Sequence, residues 1–150
     1  MININISLHT ADNMLRRVRE QGISEAYHIQ VGDYMVRKLQ KQFQEQVDPL
    51  GNPWRPLRPA TITRKGHDRI LYETGETASS PGYKAETKQA IVTVGGKAAF
   101  HQKDRPILGV SPDDEKEFTR LGEARIKSLT QNIKAVGRQV LKNQPSRKKR

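Results

Sequence analysis

Residues 48–59 read Asp48-Pro49-Leu50-Gly51-Asn52-Pro53-Trp54-Arg55-Pro56-Leu57-Arg58-Pro59, and they hold four of the chain's eight prolines and its only tryptophan. Proline removes a backbone donor, fixes its own φ and pushes the preceding residue toward extended conformations. The segment is therefore predicted to be a stiff, extended loop rather than helix or central strand. Trp54 then either caps the core beneath this loop or serves as part of a docking surface.

The loop is preceded by the pattern of a long amphipathic helix. Ser24 can open it, and the Asp48-Pro49 step ends it. Apolar or aromatic side chains recur every four residues along one face, which predicts a helix that faces the core or another subunit. They are Tyr27, Val31, Met35, Leu39 and Phe43, with Tyr34 and Val36 widening the face.

Two further elements are predicted near the N-terminus. Residues 2–8 alternate Ile2, Ile4, Ile6 and Leu8 with polar side chains, which is the period of a strand with one buried face. Thr10 can cap a short helix that ends near Gly22.

After the loop, residues 59–65 suit a short helix, with Pro59 in the first turn and Gly66 beyond the end. Gly75 marks a turn. Residues 83–86 and 90–94 are predicted to form two strands joined in a hairpin, because Ile91-Val92-Thr93-Val94 is β-branched throughout and is followed by two glycines.

The clearest helix start in the chain is Ser111-Pro112-Asp113-Asp114-Glu115. It combines a capping serine, proline in the first helical position and three acids at the positive end of the helix dipole. This position explains Asp113 and Asp114 as capping and dipole partners. The apolar positions Ile126, Leu129, Ile133, Val136 and Val140 follow at spacings of three and four, and we expect them to pack on the sheet. The predicted fold class is α+β, a small antiparallel sheet packed with two or three longer amphipathic helices.

Charge is concentrated at the C-terminus. Of the formal net charge of +11, residues 138–150 supply six cations and no acid. We predict one α+β domain over residues 1–143, with its proline-rich loop at 48–59, and a disordered basic tail over 144–150. The tail is either a solubilising appendage or a contact for nucleic acid or an acidic protein surface, through Arg147, Lys148, Lys149 and Arg150.

Composition limits the chemistry. The chain has no cysteine, which excludes disulfides, thiolate zinc sites and a cysteine nucleophile. The four histidines are scattered without a metal-binding pair, and the glycines form no nucleotide-binding motif. We therefore predict no enzyme activity, catalytic residue, metal or cofactor. No apolar run reaches the length of a membrane span and no leader pattern is present, so no membrane association is expected.

An ordered set of short elements resembles the phage virion morphogenesis family, whose members are similar to tail completion proteins of contractile-tailed phages. The set begins with Asp48-Pro49-x-Gly51-x-Pro53-Trp54-x-Pro56-Leu57 and continues with Thr61, Lys65, Ile70-Leu71, Thr74-Gly75, His101-Gln102 and Arg105-Pro106-x-Leu108-Gly109-x-Ser111. It spans about residues 43–111. The family usually carries a longer glycine-bearing stretch between the last two elements, whereas here only Lys103 and Asp104 separate them.

The resemblance implies a structural protein of the virion that completes the tail or joins it to the head, located at the neck or tail end and in the host cytoplasm during assembly. Implied partners are the head-tail connector, the tail tube or the tail terminator. A homo-oligomeric ring, a hexamer matching tail symmetry, is also implied. The basic, cysteine-free composition is compatible with a position near DNA. Candidate fold or partner-binding residues are Pro49, Gly51, Pro53, Trp54, Pro56, Leu57, Arg105, Pro106, Leu108 and Gly109. The alternative is a nucleic-acid-binding protein that uses its basic C-terminal tail.

Overall fold

A computed structural model describes residues 24–142, which form five helices and a two-stranded antiparallel sheet. The elements are α1 Ser24–Glu45, α2 Pro59–Lys65, α3 Glu76–Ser79, β1 Gly82–Ala85, β2 Ala90–Thr93, α4 Ala98–His101 and α5 Pro112–Lys142. The predicted α+β class is confirmed. The strand expected at residues 2–8, the short helix expected after Thr10 and the tail from 144 to 150 lie outside the described residues.

Helix α1 follows the predicted apolar pattern. Met35, Leu39 and Phe43 are buried on one face. The helix ends at Glu45, three residues before Asp48, because Gln46 takes a left-handed conformation with φ of 58°. Residues other than glycine rarely adopt this backbone conformation, and it cannot continue an α-helix. Gln46 therefore ends the helix shortly before the stop predicted at Asp48-Pro49.

The predicted hairpin is confirmed, with β1 and β2 antiparallel and Tyr83 opposite Val92. It packs against α1 at very short range. A β-carbon built on Gly32 would lie 2.2 Å from the Tyr83 ring, so only a residue without a side chain allows the strand to approach the helix this closely. A two-stranded sheet is marginally stable alone, and α1 supplies the surface that supports it.

Helix α5 begins as predicted and packs on α1. The Tyr34 ring meets Phe118 edge-on at 6.0 Å, and the Tyr27 hydroxyl donates to the Phe118 carbonyl at 3.2 Å. We expected the apolar positions farther along α5 to pack on the sheet. Instead, Ile126 and Val136 are 52% and 51% exposed. The first turns of α5 therefore hold the helix to α1, while Ile126 and Val136 face outward and Leu129 and Ile133 are half-buried.

The core lies where α1 meets the loops. Its buried residues are Leu39, Phe43, Trp54, Ile70, Ala98 and Ile107. Most of them come from loops or from the one-turn helix α4, so tertiary packing rather than regular structure brings them together. Neither one-turn helix, α3 or α4, was predicted.

Candidate functional site: the proline-rich loop, its partner turn and a basic pocket

The first half of the proline-rich loop is a closed turn organised by Asp48. Its Oδ1 atom accepts hydrogen bonds from the backbone N–H groups of Leu50 and Asn52, each at 2.8 Å. Burial alone would raise the pKa of Asp48, but hydrogen bonds led by those from Asn52 outweigh it and hold the pKa below its usual value. The N–H of Trp54 then donates to the Gln46 carbonyl at 2.9 Å. Hydrogen bonds thus reinforce the stiffness that the prolines predict.

Trp54 lies in the core beneath this loop. Its ring is buried and meets Phe43 edge-on at a centroid distance of 5.6 Å. The indole N–H donates to the Pro106 carbonyl at 2.8 Å, which satisfies the one polar atom of the side chain. Of the two alternatives for Trp54, its burial in the core cluster corresponds to the first, a residue that caps the core beneath the loop.

The Arg105-Pro106-Ile107-Leu108-Gly109 segment forms a turn that packs directly on the proline-rich loop. The Arg105 Nε atom donates to the Arg55 carbonyl at 3.1 Å, and a β-carbon on Gly109 would lie 2.9 Å from the Pro49 ring. Ile107 is fully buried at the centre of the turn. The two segments singled out in the sequence, about fifty residues apart, therefore form one structural unit, which we call the loop–turn unit.

The His101-Gln102 element explains how this turn is shaped. The Gln102 Oε1 atom accepts from the N–H groups of Ile107 and Leu108, both at 3.0 Å, while its amide donates to the Leu108 carbonyl at 2.8 Å. The N–H of Arg105 donates to the His101 carbonyl at 2.7 Å. The short connection through Lys103 and Asp104 is therefore a tight turn that continues α4.

A second stripe on α1, missed by the sequence analysis, is polar. Tyr34, Lys38 and Gln42 lie four residues apart in α1, and Gln46 follows one residue beyond its end. Tyr34 was expected to widen the apolar face, but each of the four side chains forms a hydrogen bond to another segment. The Gln42 amide donates to the Ile107 carbonyl at 3.2 Å, and the Gln46 Oε1 atom accepts from the Ile70 N–H at 2.6 Å. Polar side chains at helical spacing next to an apolar stripe were the signal available in the sequence. We call these four residues the polar stripe.

The polar stripe also contacts the start of α5 through Asp114, which is buried. Lys38 forms an ion pair with the Asp114 carboxylate, and its ammonium donates to the Pro49 carbonyl at 3.1 Å. The Tyr34 hydroxyl donates to Asp114 at 2.8 Å. Asp114 and Ser111 also cap each other: the Ser111 N–H donates to the carboxylate at 2.6 Å, and the Asp114 N–H donates to the Ser111 hydroxyl at 3.3 Å.

These contacts shift two titrating groups in opposite directions. Burial acts to raise the pKa of Asp114, but hydrogen bonds from Lys38, Ser111 and Tyr34 outweigh it and lower the pKa below the usual 3.8. Burial and the hydrogen bond to Asp114 raise the pKa of Tyr34 to about 12. The capping role expected for Asp114 is present, and its burial and ion pair add a structural role that the sequence did not reveal.

A small pocket lies among α2, the segment before α3, α4 and two residues of the loop–turn unit, Leu57 and Arg105. Its volume is about 220 Å³. Several positions that carry the family resemblance line it, although they are scattered along the sequence: Thr61, Lys65, Leu71, Gly75, His101 and Arg105. Arg64 of α2 and Lys97 beside α4 add two more cations. This surface, which we call the basic pocket, brings those dispersed positions together.

Within residues 24–142, no group of three His, Cys, Asp or Glu side chains is placed to hold a metal ion. No helix in the same range is both long and apolar enough to cross a membrane. The cationic residues Arg147, Lys148, Lys149 and Arg150 lie outside the described part of the chain.

The chain matches the phage virion morphogenesis family over residues 6–127. This span extends well beyond the elements that carry the resemblance, and it covers most of the chain. The chain belongs to the phage virion morphogenesis family, and its role lies in the structure and assembly of phage particles. Neither the curated proteins nor the solved structures returned a significant match.

Proposed function

We propose that the protein completes the phage tail or joins it to the head, by binding other virion proteins at the neck or tail end. The observation that carries this proposal is the family match over residues 6–127. In this role the protein works as a binding component and not as an enzyme. Its expected partners are the head-tail connector, the tail tube or the tail terminator.

The loop–turn unit supplies a surface suited to such binding. Leu50 is 66% exposed and Val110 is 56% exposed, and they flank the contact between Pro49 and Gly109. Exposed apolar side chains grouped on a rigid support are typical of protein–protein contact surfaces. We call the exposed side chains Leu50, Leu108 and Val110 the loop–turn surface. Trp54 supports it from the core side.

We further propose that the protein assembles as a closed homo-oligomeric ring, a hexamer when it matches tail symmetry. A ring needs a heterologous interface in which two different patches of neighbouring copies meet. The exposed side of α1 and the outward apolar positions Ile126 and Val136 of α5 are suited to form these patches. Native mass spectrometry measures the ring directly. A strict monomer both in solution and in assembled particles would overturn it.

Complementation of a phage lacking the gene tests the functional proposal. Negative-stain electron microscopy of particles made without the protein should show separated heads and tails, or tails with abnormal ends. Leu50→Asp places a charge in the loop–turn surface and should reproduce this defect while the protein remains folded. Thr87→Asp, which adds the same charge at the exposed hairpin connection, should restore normal particles. Normal particles without the gene would contradict the proposal.

A further inference from the structure

The basic pocket carries more positive charge than its own acidic side chains neutralise. Its lining includes the cations Arg64, Lys65, Lys97 and Arg105 but only two acids, Glu73 and Glu76. Concave surfaces lined by one sign of charge focus the electrostatic field and raise the local concentration of oppositely charged groups. The pocket is therefore suited to an anionic group.

Glu73 is already committed to two of these cations. It accepts from Arg64 at 3.0 Å and lies 3.7 Å from the Lys97 ammonium. The hydrogen bond and charge of Arg64, followed by the charge of Lys97, lower the pKa of Glu73. One carboxylate carries a single negative charge, so Glu73 cannot neutralise both Arg64 and Lys97, and Lys97 is the more distant of the two.

Lys65 is one of two pocket cations, with Arg105, that are not in ion-pair contact with Glu73. Its ammonium donates to the Arg69 carbonyl at 2.9 Å, but within residues 24–142 it has no carboxylate in ion-pair contact. Burial lowers the pKa of Lys65, Glu73 partly offsets this, and the charges of Arg64 and Arg105 lower it further. A partly buried ammonium that faces two guanidinium groups gains stability from any carboxylate that enters beside it.

We propose that the basic pocket binds a carboxylate side chain from an acidic segment of a neighbouring virion protein, with Lys65 and Lys97 as its charge partners. The volume of about 220 Å³ is smaller than the roughly 300 Å³ at which pockets for drug-sized ligands begin, and it suits one side chain. This inference rests on the proposed function, because it gives the chemistry of one partner contact.

A protein carboxylate fits the pocket better than a nucleic-acid backbone does. Duplex DNA carries a charge about every 1.7 Å along its axis and is bound by extended rows of cations. The cations of the pocket line one small cavity rather than an extended row, and the carboxylates of Glu73 and Glu76 would face the neighbouring phosphates. A single acidic side chain avoids that repulsion.

The test measures binding of a fluorescein-labelled oligoglutamate peptide to the full-length protein by fluorescence anisotropy. Lys65→Gln combined with Lys97→Gln should weaken binding by at least about tenfold, the change expected for loss of a charge-assisted contact. Lys88→Gln combined with Lys127→Gln removes the same charge from exposed positions away from the pocket and should leave the Kd unchanged. Lys65→Arg combined with Lys97→Arg keeps the charge and should retain most of the binding.

Amide signals of Thr74 and Gly75, which line the pocket, should shift on titration with the peptide in an NMR spectrum of the wild-type protein. Equal weakening of peptide binding in the Lys65/Lys97 and the Lys88/Lys127 double glutamine variants would overturn the proposal, since binding would then depend on overall charge and not on the pocket. Loss of duplex DNA binding with intact peptide binding in the pocket variant would also overturn it. These measurements use purified protein, so they succeed or fail independently of the particle assembly that tests the proposed function.

Discussion

Lys38 of α1 and Asp114 in the first turn of α5 form an ion pair whose side chains are 16% and 1% exposed. The pair joins the two longest helices at the point where the Pro49 carbonyl of the proline-rich loop also binds Lys38. One cation therefore holds three separate segments together. Its loss affects the helix contact and the loop position at the same time.

Asp114→Ala should lower the free energy of unfolding by about 3 kcal/mol at neutral pH, because it leaves the partly buried Lys38 without its carboxylate and uncaps α5. Chemical denaturation of the two proteins measures the difference. Asp113→Ala provides a control in the same helical turn, since Asp113 pairs with Lys116 on the exposed surface, and it should change stability little. Similar stabilities for the Asp113 and Asp114 variants would contradict the structural role of the buried pair.

The same pair predicts a dependence of stability on pH. The folded pKa of Asp114 lies below its ordinary value of 3.8, so the unfolded chain takes up a proton before the folded protein does. The stabilisation is complete above the ordinary pKa and is lost as the pH falls through the folded pKa. The gap in unfolding free energy between wild type and Asp114→Ala should therefore be constant from about pH 7 to 5 and should narrow below about pH 4. A gap that stays constant down to acid unfolding would show that the charge contributes nothing.

Trp54→Ala should lower the free energy of unfolding by about 3 to 5 kcal/mol, because a large buried ring is removed from the core. Trp54→Phe keeps an aromatic ring against Phe43 but loses the donor to Pro106, so its cost should be smaller. Thermal unfolding followed by circular dichroism measures both. Unchanged stability in Trp54→Ala, with impaired particle assembly, would instead make the ring a partner anchor.

Two glycine substitutions should change stability in opposite directions, because Gly109 packs against Pro49 whereas Gly137 has open space around it. Gly109→Ala would place its β-carbon 2.9 Å from a proline ring that cannot rotate away, and should cost about 1 to 3 kcal/mol. Gly137→Ala meets nothing within 4 Å and lies inside α5, so it should stabilise the protein by up to about 1 kcal/mol. Denaturation midpoints check both signs. A neutral Gly109→Ala would mean that the two segments separate easily.

Removal of residues 145–150 should leave folding and oligomeric state intact, because the segment carries four cations and no predicted core residue. If the tail contacts DNA, binding to duplex DNA should weaken, and the log-log salt dependence should lose about 0.9 of a unit for each phosphate contact removed. A salt series with full-length and shortened protein measures the slope. Equal slopes would make the tail a solubilising appendage, and a folding defect would show that the predicted disorder is wrong.

Elements with strong local signals could be predicted from the sequence. The capping serine and proline before α5, Pro59 at the start of α2 and the β-branched run of β2 each act within a few residues, and each element is present. The one-turn helices α3 and α4 could not be predicted, because four residues hold too little periodicity to distinguish a helix from a turn.

Long-range relationships could not be predicted. Asp114 has the sequence context of an ordinary capping residue, and its burial depends on Lys38, which is 76 residues away. The exposure of Ile126 likewise depends on where α5 crosses α1, and no local sequence pattern predicts that crossing point. Lys65, His101 and Arg105 belong to the sequence elements that carry the family resemblance, but only the fold shows that they line one pocket.

The length of α5 has a geometric consequence. From Gly122 to Lys142 an α-helix rises about 30 Å, so the end of α5 is held at a set distance from the region where the helix meets α1. Helical pitch also sets its direction, because each added residue turns the end by about 100°. Insertion of a full turn would move whatever the helix end contacts by about 5 Å, and insertion of a half turn would point it to the opposite side.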